Sequence, residues 1–148
     1  MYKHLFVPVD GSELSHRAMD GSIELAQQLG ARITGFVVEP DVPLSAATSH
    51  TEPLLHRIKD NESQNELHAS ALLGQFEKRA VAAGVAFTAH HVTAYRVSHT
   101  IVEEAEKSGC DMIVMVTEGR SRVGKFIFGS HTKDVIIESN LPVLVLRK

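Results

Sequence analysis

The sequence predicts an α/β protein of three layers, a doubly wound parallel sheet of five strands with helices on both faces. Three observations lead there. Five short apolar runs alternate with four segments whose apolar residues recur every three or four positions. The runs are apolar on both faces, as strands covered by helices on two sides must be. Glycines close three of the helical segments, at Gly30, Gly84 and Gly109, where a residue past the last turn ends a helix in the left-handed region. Strand–helix–strand units of this kind join parallel strands by right-handed crossovers.

The first strand is Leu5 to Val9. A helix follows, with Leu14, Ala18, Ser22, Leu25 and Leu29 on one face and Gly30 as its stop. Ile33 to Val38 is the second strand, closed by Glu39-Pro40. Residues 40 to about 60 hold three of the five prolines with Ser45, Thr48, Ser49 and Thr51, and read as a long mobile connection or lid. The second helix is expected from about 60 to 83, with Leu73, Phe76, Ala80 and Ala83 buried. Val85 to Val92 is the third strand, Val97 to Ser108 a helix carrying Ile101 and Ala105 inward, and Met112 to Val116 the fourth strand. A last helix from Ser130 to about Ser139 precedes the fifth strand, Leu141 to Leu146. There is no internal repeat and no low-complexity tract, so all 148 residues are expected to form one domain.

Composition narrows the function. A net charge of −3 argues against nucleic-acid binding, which wants a basic excess. No run approaches the ~18 apolar residues of a membrane span, and the first strand is too short for a signal-peptide core. The single cysteine, Cys110, permits no intrachain disulfide, in keeping with a reducing cytoplasm. At the entrance to an apolar strand it reads as a packed, inert thiol.

Two loops carry the chemistry. Met112 to Val116 empties into Gly119-Arg120-Ser121-Arg122-Val123-Gly124-Lys125-Phe126-Ile127-Phe128-Gly129-Ser130, a glycine-punctuated basic loop that closes on Gly-Ser at a helix start. Backbone N–H groups, a helix N-terminus and three cations are together an anion site. Pro8-Val9-Asp10-Gly11-Ser12 ends the first strand in the same way. Two such loops at the carboxyl ends of parallel strands are what a nucleotide site in an open α/β sheet requires. Gly119 to Phe126 falls one residue short of a Walker A loop, since Phe126 stands where the Mg²⁺-binding Ser or Thr would be.

Pro8-Val9-Asp10-Gly11-Ser12-Glu13, Phe36-Val37-Val38-Glu39-Pro40, Asp111-Met112-Ile113-Val114-Met115 and Leu141-Pro142-Val143-Leu144-Val145 together resemble the universal stress protein family over the full length. That family's nucleotide motif is Gly, two residues, Gly, nine residues, then Gly-Ser or Gly-Thr; here Gly119, nine residues and Gly129-Ser130 match it. The resemblance implies a Rossmann-like fold of strand order 3-2-1-4-5, and ATP or a related adenine nucleotide as ligand, with or without Mg²⁺. It implies Asp10 and the backbone at Val37 facing ribose and adenine, and Gly119, Gly129 and Ser130 holding phosphates, beside the cations Arg120, Arg122 and Lys125. It also implies a homodimer through the C-terminal strand.

Three positions depart from the pattern. Val116 stands at the motif's first glycine. If that position needs φ > 0, a β-branched residue costs on the order of 1–3 kcal/mol; if it needs only close approach, the side chain takes space from the ligand. Glu118 sets a carboxylate among the loop cations. Thr93-Ala94-Tyr95-Arg96-Val97 lacks the Gly and Pro that commonly open the third helix in the family.

Bland readings stand beside these. Asp10 also reads as a cap-like carboxylate for the first helix, and Ser130 as an ordinary N-cap. Of the nine histidines, His90 and His91 are adjacent on a strand and point to opposite faces, while His56 and His68 lack a cysteine partner, so no metal site is expected. No Gly-x-Ser-x-Gly surrounds Ser12, Ser121 or Ser130, and no catalytic residue is assigned. The function expected is nucleotide-dependent sensing or regulation of a stress response in the cytoplasm. Protein–protein contacts without nucleotide and slow ATP hydrolysis are the alternatives.

Overall fold

The computed structural model describes residues 1–41, 52–117 and 130–147, with Pro40, 52–63, Asn65 and Ser130 described by backbone only. Its five strands are β1 (His4–Pro8), β2 (Arg32–Pro40), β3 (Phe87–Ala94), β4 (Met112–Thr117) and β5 (Val143–Arg147). The helices between them are α1 (Glu13–Leu29), α2 (Glu52–Ala82), α3 (Val97–Lys107) and α4 (Ser130–Glu138). The sheet is parallel in the order β3-β2-β1-β4-β5, as the resemblance implied.

Strand alternation divides the core between two layers. Leu5, Val7, Ile33 and Val37 pack with Met19 of α1 and with Leu73 and Phe76 of α2. Phe6, Phe36 and Ile113 face the other way, against Ile101 and Ala105 of α3 and Val135 of α4. The crossovers through α1 and α2 therefore cover one face, and those through α3 and α4 the other. The change of face occurs between β1 and β4, paired at Leu5–Met112 and Phe6–Ile113.

Several boundaries differ from the sequence reading: β2 runs on through Pro40 and β5 begins at Val143, not at Leu141, and the starts of α2 and β3 move as well. α2 begins at Glu52, not near 60: Pro53 lies in its first turn, where a missing N–H leaves no hydrogen bond unmade, so this proline starts a helix and does not break one. Of the expected connection, 42–51 lies outside the described residues. β3 begins at Phe87, not at Val85. Gly84 adopts φ 74° and donates its N–H to Val81 O (3.0 Å), while Val85 donates to Ala80 O (2.9 Å). Val85 is thus the buried apolar residue of the helix stop. On α1 the most buried line is Ser15, Ala18, Met19, Ser22, Ile23 and Ala26, with Leu14, Leu25 and Leu29 at its margin.

At the amino end of the sheet, His4 is buried, with Nε2 2.7 Å from Thr34 Oγ1. Burial, then the positive charge of Arg32, lowers its pKa from 6.5. The folded chain therefore disfavours protonation. The stability held by the neutral ring is full above pH 6.5 and is lost as pH falls through the lowered folded value. Denaturant unfolding of the parent should weaken more steeply below that pH than unfolding of His4→Gln. Parallel curves would remove His4 as the cause.

Candidate functional site

At the carboxyl edge of the sheet, where β1 and β4 part, lies a crevice of about 230 Å³. Open α/β sheets bind ligands at this place, because crossovers leaving on opposite faces cannot close the gap between the two strands. One wall is Val38 of β2, Val97 and Ile101 of α3, and Met115 of β4; the other is Leu14 and Ala18 of α1 with Val116 of β4. Asp10, Ser12, His131 and Thr132 supply polar groups.

The loop after β1 is built around Asp10. Its Oδ1 accepts the Ser12 N–H (2.9 Å) and the Ser15 hydroxyl (2.9 Å). Ser15 Oγ in turn accepts the N–H groups of Asp10 (2.8 Å) and Gly11 (3.0 Å). Gly11 makes the reversal with φ 84°. A Cβ there would stand 2.7 Å from Nε2 of the exposed His68 side chain, which can move aside, so it is the backbone conformation that reserves the position for glycine. Burial alone would raise the Asp10 pKa. Hydrogen bonds from the Ser12 hydroxyl and N–H, and then from Ser15, outweigh it and hold the carboxyl below its ordinary value. Asp10 is therefore ionised at neutral pH and offers acceptors only. The groups it suits are hydroxyls and cations, and it repels phosphate.

The cap-like reading of Asp10 holds in a modified form. Its backbone bond goes to Ser12, the residue that precedes α1, and Ser12 itself makes no side-chain cap. Val116 lies inside β4, half-buried and opposite Leu146, and no non-glycine among the described residues has positive φ. The strain considered for Val116 is absent, because β4 stays extended through Thr117. The steric reading remains, since Val116 lines the crevice. The Val37 side chain is buried beneath α1 and α2, and the β2 side chain that reaches the crevice is its neighbour Val38. Ser130 is the first residue of α4. Gly119, Arg120 and Gly129 lie outside the described residues, as do Glu118, Arg122 and Lys125.

Sequence reading missed Ser15, Val38, His131 and Thr132. One signal for Thr132 was available: Val135 is the buried anchor of α4, and a position three residues earlier shares its face. Elsewhere, His90 and His91 each face their own carboxylate. His90 Nε2 is 2.6 Å from Glu104 Oε2, and His91 Nδ1 is 3.7 Å from Glu39 Oε1. Cys110 is buried, and burial first of all pushes its thiol up to about 11, so it is inert as expected. Among the described residues, no helix is long and apolar enough to cross a membrane.

This is a doubly wound α/β protein with a small, largely apolar crevice at the switch point of its sheet and the ionised Asp10 at the mouth. The chain belongs to the universal stress protein family, whose sequence model matches residues 1–147. Universal stress protein MJ0531 of Methanocaldococcus jannaschii is 30% identical over 151 aligned positions, covering 100% of this chain and 84% of that protein. Universal stress protein UspA from Lactobacillus plantarum has the same fold, at TM-score 0.80 and 23% identity over 99% of this chain and 98% of that one. Two further structures of the fold carry nucleotides. One is a universal stress protein in complex with cAMP (TM-score 0.66, 23% identity, 99% of this chain and 97% of that one). The other is the universal stress protein from Archaeoglobus fulgidus in complex with dAMP (TM-score 0.65, 20% identity, 97% of each chain).

Proposed function

We propose that this chain binds ATP or a related adenine nucleotide in the crevice between β1 and β4, and acts in the cytoplasm as a nucleotide-dependent sensor or regulator of a stress response. The observation that carries the reading is an ionised, pre-positioned Asp10 at the mouth of an apolar slot, at the switch point of a parallel sheet. The slot suits a flat apolar base, and Asp10 suits the sugar hydroxyls. At about 230 Å³ it is smaller than the roughly 300–1,000 Å³ of sites that engulf a drug-sized ligand. Base and sugar fill such a volume, and the phosphates lie outside it. They are assigned to Ser130 at the head of α4 and, on the sequence alone, to Gly119, Arg120 and Gly129. With Asp10 as the one carboxylate among the described lining residues, Mg²⁺ would be held chiefly by the phosphates, as it commonly is.

Calorimetry with MgATP, AMP and cAMP tests the reading, together with identification of whatever co-purifies. Val116→Gly in the same experiment measures the steric cost of the altered motif. With no backbone strain to relieve, a gain in affinity of about tenfold, equivalent to ~1.4 kcal/mol, is the upper end of what is expected. No binding by parent or variant would leave protein–protein contacts as the function.

A homodimer through 141–147 completes the proposal. Among the described residues β5 pairs with β4 alone and forms one edge of the sheet, and an apolar edge strand invites pairing. Val145, half-buried on β5, is the probe: Val145→Lys should shift sedimentation from dimer to monomer. A monomeric parent at micromolar concentration, or an unaffected dimer, would count against this edge.

A further inference from the structure

We infer that Ser15 is the positioning residue of this crevice: its side chain holds the Asp10 carboxylate in place for a ligand hydroxyl and does not itself touch the ligand. The inference deepens the nucleotide reading and rests on it for the identity of that ligand. A serine hydroxyl has one donor and two acceptor sites. At Ser15 both acceptor sites are taken by N–H groups, those of Asp10 at 2.8 Å and Gly11 at 3.0 Å, which can only donate. The remaining contact, 2.9 Å to Asp10 Oδ1, must therefore be the one in which Ser15 donates. Ser15 is buried and its capacity is used up, so it has nothing left to offer a ligand although it borders the crevice.

The consequence falls on Asp10. Oδ1 receives two donors, the Ser15 hydroxyl and the Ser12 N–H at 2.9 Å, and takes part as an acceptor in both. Oδ2 takes neither of these bonds, so an incoming hydroxyl shares the carboxylate with the Ser12 hydroxyl and does not compete with Ser15. The first turn of α1 and the loop after β1 are thus tied together by one side chain five residues from the carboxylate. The Asp10 rotamer is chosen before any ligand arrives, which lowers the ordering cost of binding.

The test is a variant series at Ser15 in the full chain with two readouts. Carbon-detected NMR of the Asp10 carboxyl reports its titration without any ligand. Ser15→Ala should move the midpoint upward toward the ordinary aspartate value, and Ser15→Thr should restore it. Ser15→Cys, a weaker donor, should fall between and serves if Ser15→Ala does not fold. AMP affinity, measured by calorimetry, should drop about five- to tenfold in Ser15→Ala, the range of one lost hydrogen bond. It should drop no further in Asp10→Ala/Ser15→Ala than in Asp10→Ala alone, because Ser15 acts through Asp10. An unchanged Asp10 titration, or losses that add in the double variant, would overturn the assignment. If the parent binds no nucleotide, the functional reading fails while the titration still decides whether Ser15 positions the carboxylate.

Discussion

Gly35→Val is expected to cost about 3 kcal/mol of stability, lowering the midpoint of thermal unfolding by roughly 6–12 °C for a chain of this size. Gly35 sits in β2, paired with Val7 on one side and Ala89 on the other, on the face covered by α2. A Cβ built there runs into the Phe87 ring, at Cζ and Cε2, and comes within 2.9 Å of Phe76 Cδ1. The two rings already lean on each other, with centroids 4.9 Å apart, so neither can retreat without disturbing the other. Phe76 is wholly buried, and the backbone of a central strand cannot shift alone. Overpacking, not backbone conformation, is therefore the cause. Gly35→Val should cost less in a Phe87→Ala background than in the parent, because the ring that the new side chain meets is gone. Equal stability of Gly35→Val and parent in denaturant would mean that α2 can lift off β2 freely, contrary to the packing seen.

Asp10→Ala is expected to separate binding from folding. Removing an ionised acceptor from a ligand hydroxyl costs about 1.5–3 kcal/mol of affinity, or about 10- to 100-fold in Kd for AMP or ATP. The same change should cost about 1 kcal/mol or less in stability. Asp10 is exposed and its protein partners are loop and helix-start groups, of which the Ser15 hydroxyl alone is buried and loses an acceptor. Calorimetry and denaturant unfolding of one sample decide both numbers. A chain that fails to fold would make Asp10 structural first; full affinity in a folded variant would remove the carboxylate from the ligand's surroundings.

The loop that follows β1 was readable from residues alone, because Asp-Gly-Ser at a strand's carboxyl end names its own geometry: a carboxylate, a glycine for positive φ and a helix start. The alternation of strands and helices was equally plain. Ile33, Phe36 and Val37 are apolar on both strand faces, and Gly30, Gly84 and Gly109 stop three helices with positive φ. Local conformational preference and hydrophobic periodicity act over a few residues, so a linear string records them. The start of α2 escaped, since Pro53 has two meanings and only the helix beyond it chooses between them. Val85 escaped because an apolar residue after a glycine stop looks like the first residue of a strand.

What the string could not hold is which side chains from distant segments meet. The Val38 side chain faces the crevice while that of Val37, named for its backbone, is buried, because the pleat of β2 and the packing of α2 assign alternate residues to opposite layers, a choice of register made by the whole sheet. Ser15 looked like one more helix residue until the turn at Gly11 brought its hydroxyl back onto Asp10. Val116 stood between two readings, strain if its place needed φ > 0 and crowding if it needed close approach, and pairing with Leu146 keeps β4 extended there and leaves only the second. The amino-acid sequence by itself determined the elements, their class and the chemistry of the loop after β1, through interactions between near neighbours. Only the tertiary structure decided the walls of the crevice and the partner of its carboxylate, because burial and hydrogen-bond geometry depend on groups far apart in the chain.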